Sequence, residues 1–299
     1  MTDLKDKTLE VEDWWDTNPF TCNRSMGVGR QGKIEDLDLA YFDKVEYKYK
    51  KHTNHSTQID DAPVFSKYIN YESLRGKRVL DIATGTGFST ATFARFGAEV
   101  TGIDLTQYAV DQTKRNLSLR NLKGEVLKMD AQELQFEDNT FDYVCAHGCL
   151  MHMPDTDKAL REIMRVLKPG GTVYAWMYHR GWYYWFGILF LRGVLLGKLI
   201  TYKFSPLALT SRYSDGAHED GNPHTKFFSK RGFQKLFQKP GFADVKVYVN
   251  NNPQEWDAWP TRSFAFGKYI PTPIQKFFGE KAGFALSCSI LAKKPDSQD

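Results

Sequence analysis

The stretch "RVLDIATGTGFSTATFARFG", residues 78–97, decides the fold. A short apolar run (Val79, Leu80, Ile82) ends in small residues and glycines, then passes into a stretch with Phe88, Ala91 and Phe93 available for packing. This is the pattern of a buried strand entering a turn that opens a helix. Glycine turns at this place usually cradle a ligand, and their spacing says which kind. A dinucleotide fingerprint wants G-x-G-x-x-G with the helix N-terminus facing a pyrophosphate. Here the small residues are Ala83, Gly85 and Gly87 around Thr84, Thr90 stands where a third glycine would fall, and the acid Asp81 lies inside the strand end. A carboxylate repels a pyrophosphate and attracts an ammonium group. The turn is therefore expected to take a cationic zwitterion, and S-adenosylmethionine, with its amine and sulfonium, fits that chemistry.

Working outward, strand-like and helix-like stretches alternate. "EVTGIDL" reads as a second strand, "GEVLKMD" as a third and "FDYVCAHG" as a fourth. The helix "TQYAVDQTKRNLSLRNL" begins at a threonine N-cap, and "DTDKALREIMRVLKPGG" sets Ala159, Leu160, Ile163, Met164 and Leu167 on one face before a stop signal and the fifth strand "TVYAWMY". Strands separated by such helices predict an α/β, doubly wound, mostly parallel sheet with right-handed crossovers. "SKRGFQKLFQKPGF" supplies a late helix, and "ADVKVYVN" and "FALSCSILAKK" two late strands. Residues 251–280 read as irregular structure with one short helix. Residues 1–75 form a helical, aromatic-rich N-terminal cap, residues 76–299 the main domain, and 181–228 a lid-like insertion after strand five.

The rest of the ligand is traced by acids at strand ends. A ribose wants a carboxylate at the end of strand two, where Asp104 stands beside Leu105. An adenine amino group wants an acceptor at the end of strand three, where Asp130 stands beside Ala131. The successive motifs "VLDIATGTGFST", "VTGIDLT", "LKMDAQELQFEDNTFDYVCAHGCLMHMPD" and "LREIMRVLKPGGTVYAW" resemble those of class I S-adenosylmethionine-dependent methyltransferases, particularly the small-molecule branch called type 11. The resemblance covers roughly residues 76–178. It implies a seven-stranded sheet in the order 3-2-1-4-5-7-6 with the last strand antiparallel. It also implies that Asp81 and Gly85 sit by the methionine moiety, Asp104 by the ribose, and Asp130 and Ala131 by the adenine. The departure is Ala83, where the family carries its first glycine.

Methyl transfer from a sulfonium is an in-line displacement that mostly needs alignment and exclusion of water, so no compact catalytic motif is required. His152 and His147, flanking the end of strand four, are the candidates for a base or acceptor contact, with His147 also reaching the cofactor. Their bland readings are a helix-entry residue and a packing residue. Tyr178 and His179 at the end of strand five, Trp15 in "VEDWWDTNPF" and Tyr213 in the insertion are the candidate substrate contacts. "RYSDGAHEDGNPHTKFF", residues 212–228, reads as an ordinary surface loop or a substrate-recognition loop. Its His218, Glu219, Asp220 and His224 lack a diagnostic ligand spacing, so no metal is expected.

The chain has 299 residues, 41% hydrophobic and 25% charged, with a net charge of +4. That balance is globular, and the charge is too small to imply a nucleic-acid partner. Cys22, Cys145, Cys149 and Cys288 form no paired motif, which suits reduced thiols and a cytoplasmic setting. "WYYWFGILFLRGVLLGKLI", residues 182–200, is nearly long enough to span a bilayer, but Arg192 near its middle would cost about 2.5–3.5 kcal/mol there. A spanning helix, an interfacial helix at a membrane surface, and a lid or core segment remain open. The expected partner is a small-molecule acceptor of apolar or lipid-like character, and the oligomeric state is not legible. Two rival readings are a nicotinamide-dependent oxidoreductase, which leaves Asp81 unexplained, and a non-catalytic regulatory protein with the same fold.

Overall fold

The computed structural model describes residues 2–19, 33–53, 62–214, 222–250, 271, 273–274, 277 and 285–296. Its frame is a sheet of seven strands: β1 (Arg78–Ile82), β2 (Glu99–Asp104), β3 (Glu125–Lys128), β4 (Phe141–His147), β5 (Leu167–Tyr178), β6 (Ala243–Asn250) and β7 (Ser287–Lys293). The order is β3-β2-β1-β4-β5-β7-β6. β1 pairs in parallel with β2 and β4, and β7 runs antiparallel to both β5 and β6. This is the architecture that the resemblance implies.

Helices α1 (Thr2–Thr17) and α2 (Leu39–Thr53) precede the sheet. α3 (Phe88–Arg95), α4 (Gln107–Leu119) and α5 (Thr156–Val166) are the crossovers. Side chains start two of them: the Thr106 hydroxyl accepts from the Ala109 N–H and the Asp155 carboxylate from the Lys158 N–H. A π-helix (Tyr183–Leu195), α6 (Lys198–Thr201) and α7 (Pro206–Ser214) follow β5, and α8 (Lys230–Gln238) opens on a Ser229 cap.

β1 is buried from Val79 through Ile82, as a parallel strand covered on both faces must be. One face packs Leu160 and Ile163 of α5 and Phe233 and Phe237 of α8. The other packs Phe65, Phe93, Tyr143 and Tyr174. Arg120 binds Asp43 at 2.6 Å and Arg95 binds Glu46 at 3.1 Å, tying α2 to α4 and α3.

One local expectation fails. The "KPGG" stop signal does not separate α5 from the fifth strand, because β5 already begins at Leu167. Phe141 pairs with Leu167 but Tyr143 pairs with Thr172, so residues 168–171 bulge out of the ladder, with Gly170 at a φ of +73°. Glycines here permit a bulge inside a strand rather than a turn between elements. The readings for Cys22, for residues 251–270 and for His218, Glu219 and Asp220 fall outside the described residues.

Candidate active site

The turn after β1 is shaped by three residues in the left-handed region: Ala83 (φ +60°), Gly85 (φ +53°) and Gly87 (φ +76°). Backbone bonds from Ala83 and Thr84 to the Ile103 carbonyl hold it against β2. α4 pins it from the other side, with the Thr113 hydroxyl 3.0 Å from Thr84 Oγ1 and the Asn116 amide donating to the Thr86 carbonyl. A Cβ on Gly87 would lie 2.9 Å from the Thr113 Cα, so close helix packing requires glycine there. A Cβ on Gly85 would meet nothing within 4 Å, leaving a backbone position open to a ligand. Close by, Thr86 Oγ1 is buried without a hydrogen-bond partner.

The three acids fall at the ends of three neighbouring strands. Asp104 accepts from the Gly85 N–H at 3.1 Å, and from the Thr106 N–H at 3.0 Å and hydroxyl at 3.1 Å. Burial raises its pKa against the pull of those bonds. Asp81 lies beneath the turn, and the hydroxyls of Ser89 and Thr90 donate to its Oδ2 at 2.7 and 2.6 Å. Burial pushes its carboxyl up to about 6, opposed by those hydroxyls and by the Cys145 thiol. Asp81 thus anchors the first turn of α3 as well as bringing negative charge to the turn. Asp130, two residues past β3, accepts from the Gln132 N–H at 2.8 Å and from its side-chain amide. The Gln132 amide also lies 3.3 Å from the Thr8 hydroxyl of α1, and its carbonyl accepts from the Asp155 N–H. With Lys128 bound to Glu12 at 2.7 Å, α1 is fastened over the end of β3. Ala131 is buried beside this knot and Leu105 is half-buried at the end of β2.

The two histidines occupy different settings. His147 is clasped by aromatic rings, stacked on Phe65 at 4.1 Å and on Trp176 at 5.2 Å, with the Tyr49 hydroxyl against Nε2. His152 is buried, and its Nδ1 lies 3.1 Å from the Asn222 amide nitrogen, 3.2 Å from Thr225 Oγ1 and 3.1 Å from the His224 carbonyl. The Asn222 Oδ1 accepts from the His224 N–H, so its amide nitrogen is the group turned to His152. Trp15 meets His152 edge-on at 5.3 Å, and Tyr178 does so at 5.9 Å. The His224 Nε2 is buried without a partner, and burial, with Lys226 and Lys7 nearby, pushes its pKa down to about 4.

His152, Trp15 and Tyr178 therefore meet in one cluster. His179 does not join it, since its Nδ1 binds the Ala285 carbonyl and its ring stacks toward Phe233 of α8. The Tyr213 side chain lies outside what the structure describes. Asn222, Thr225 and Gln132 carry no motif signal; only the richness of residues 212–228 in polar turn formers pointed to that segment.

The family description "Methyltransferase domain" matches residues 80–175, the span from β1 to the middle of β5. This span is similar to the class I S-adenosylmethionine-dependent methyltransferase domain. The ubiquinone/menaquinone biosynthesis C-methyltransferase of Idiomarina loihiensis is 46% identical over 104 residues, covering 33% of this chain and 41% of that protein. The sterol 24-C-methyltransferase of Schizosaccharomyces pombe is 38% identical, covering 57% of this chain and 50% of that protein. The matches thus span about half or less of these relatives' length. Among solved structures, a chain from the complex of the Haloferax volcanii Trm112 methyltransferase activator with a methyltransferase shares the fold. It has a TM-score of 0.53 at 15% identity and covers 88% of this chain and 96% of that one.

Proposed function

We propose that the chain transfers a methyl group from S-adenosylmethionine to a small apolar or lipid-like acceptor. The observation that carries this reading is the open Gly85 position with Asp104 beside it and Asp81 beneath it. The residues fit the cofactor: the open glycine admits it against the backbone, the buried carboxylates suit its hydroxyls and amine, and the unpartnered Thr86 hydroxyl is available to it. A pyrophosphate would meet two buried acids at the same turn, which disfavours a nicotinamide dinucleotide. When bound, the cofactor supplies an electrophilic methyl on a sulfonium.

The chain's own residues do the rest. Asp104 accepts from the ribose hydroxyls while Thr106 keeps its second oxygen oriented, and Asp130 with Gln132 closes the adenine end beneath α1. Leu105 and Ala131 line the apolar walls of that end. Trp15 and Tyr178 cover His152 and exclude water, which strengthens alignment and electrostatics within. At Nδ1 the Asn222 amide and the Thr225 hydroxyl as donors compete with the His224 carbonyl as acceptor; in this reading the donors prevail, the ring proton sits at Nε2, and His152 presents an N–H to an oxygen of the acceptor. In this reading His152 orients the acceptor rather than deprotonating it. His147, held between Phe65 and Trp176, is a wall between cofactor and acceptor. His179, bound to the Ala285 carbonyl and stacked toward Phe233, is a packing residue outside the acceptor cluster, and Tyr213 belongs to the insertion given the covering role.

An apolar acceptor is supported by the aromatic walls and by the two relatives named for quinone and sterol methylation. Calorimetry with S-adenosylhomocysteine is expected to give saturable one-site heat, and the absence of heat overturns the assignment. With labelled methyl donor, quinols or sterols are expected to become labelled in preference to amines or nucleosides.

A further inference from the structure

The segment after β5 has two unlike faces. Inward, Tyr184 and Ile188 of the π-helix and Leu209 of α7 are buried, and the Tyr184 ring packs on Phe227, which stacks on Tyr178 at 5.2 Å. Outward, Val194, Leu195, Leu196, Ile200 and Phe204 are each 61–72% exposed. Single exposed apolar side chains are ordinary. A run crossing two successive helices and the turns that follow them marks an interaction surface. Phe204 also stands at a φ of +57°, a strained conformation for a bulky residue that projects into solvent.

From Arg180 to Ser214 the charges all have one sign. From Ile163 to Ser214 the sequence contains no Asp or Glu, while Arg180, Arg192, Lys198, Lys203 and Arg212 fall around the apolar run. Lys198 and Lys203 are exposed beside Ile200 and Phe204. Exposed apolar residues bordered by cations, with no acid, match an anionic lipid surface: the side chains enter the acyl boundary while the ammonium groups meet the headgroups. A protein partner would need both an apolar groove and an acidic rim, whereas a lipid surface supplies both without shape. Among the described residues no helix is long and apolar enough to cross a membrane.

We propose that the π-helix, α6 and the α6–α7 corner form a monotopic docking face for anionic phospholipid. The face sets the Tyr184–Phe227–Tyr178 chain, and with it the His152 cluster, next to the bilayer, so an apolar acceptor passes from lipid to site without crossing water. This last step rests on the methyl-transfer reading, whereas the docking itself does not.

The test is flotation of the full chain with phosphatidylcholine vesicles, alone or containing phosphatidylserine. Binding is expected to the anionic vesicles, to weaken with added salt, and to be weak on phosphatidylcholine alone. Leu195→Ser with Ile200→Ser and Phe204→Ser, all at solvent-facing positions, should lower partitioning about 100-fold. Lys198→Gln with Lys203→Gln should lower it about 30-fold, at about fivefold per cation. Absence of flotation with anionic vesicles overturns the proposal, as does flotation that the serine variant does not weaken. A dimer in sedimentation that the serine variant dissociates, without vesicle binding, assigns the face to a second copy and equally overturns it. S-adenosylhomocysteine calorimetry on the same preparation separates the two readings: heat without flotation removes only the lipid inference, and flotation without heat removes only the methyl-transfer reading.

Discussion

Replacing Asp81 with asparagine sets stability against binding in a measurable way. The carboxyl is buried under the turn and its pKa is pushed up to about 6 from 3.8. At 1.36 kcal/mol per tenfold, ionising it in the folded protein near neutral pH costs about 3 kcal/mol relative to the unfolded chain. Asparagine keeps an oxygen to accept from Ser89 and Thr90 but brings an amide N–H₂ whose burial costs about 1–3 kcal/mol if unmet. The variant should therefore match or exceed the wild type at about pH 7.5, by on the order of 1 kcal/mol. The sign of the pH dependence follows from a folded-state pKa above the unfolded one. Protonation favours the fold, so the contribution of Asp81 is fully present below about pH 4 and is lost as pH rises through about 6. Between about pH 7.5 and pH 5 the advantage of the variant should shrink by about 1.4 kcal/mol, read as the difference between urea unfolding free energies. Affinity for S-adenosylhomocysteine, measured by calorimetry at the higher pH, should fall at least about tenfold with the loss of the charge. An advantage that stays flat or grows on acidification would refute the reasoning, since Asp81 would then not be a buried carboxylate ionised at cost.

Three further substitutions probe the turn and the histidine cluster. Asp104→Asn should weaken S-adenosylhomocysteine binding about 10- to 100-fold, the worth of one or two charge-assisted hydrogen bonds, and unchanged affinity would separate Asp104 from the cofactor. Ala83→Gly removes the left-handed penalty of about 1–2 kcal/mol at φ +60° while adding up to about 1 kcal/mol of unfolded-chain entropy, so the urea midpoint should rise; a fall contradicts the strain argument. Nitrogen NMR of the histidine rings should show His152 protonated at Nε2 and bare at Nδ1. Asn222→Ala should redistribute that proton toward Nδ1, facing the His224 carbonyl, and a spectrum already protonated at Nδ1 would reverse the role given to Asn222.

What the chain shows on inspection is what short-range physics fixes. The apolar run into "ATGTG", the helix faces and the acids at strand ends each depend on neighbours within a few residues, and they imply the sheet and the crevice at its edge. Even "GFST" held a further message: Ser89 and Thr90 fall where α3 turns over Asp81, and their hydroxyls take up its oxygen. The contacts around the two histidines are of another kind. His147 is closed in by Tyr49 and Phe65, 98 and 82 positions earlier in the chain, and His152 is met by Asn222 and Thr225, 70 and 73 positions later. No periodicity encodes such meetings, because they depend on how separate segments fold back over the sheet.

The same distinction explains why the two histidines, alike as strand-end residues, acquire unlike chemistry. His147 is the last residue of β4 and alternates onto the face of Tyr143 and Cys145, where the aromatic residues that precede β1 pack. Gly148, at a φ of +75°, then turns the chain away from the strand. His152, four residues on, is delivered beyond the strand end, where the segment returning from the insertion supplies amide and hydroxyl donors and α1 supplies Trp15. A single left-handed glycine thus divides one sequence motif between a packed wall and a polar cluster. The methyl-transfer reading needs both, one to separate the cofactor from the acceptor and one to hold the acceptor in line.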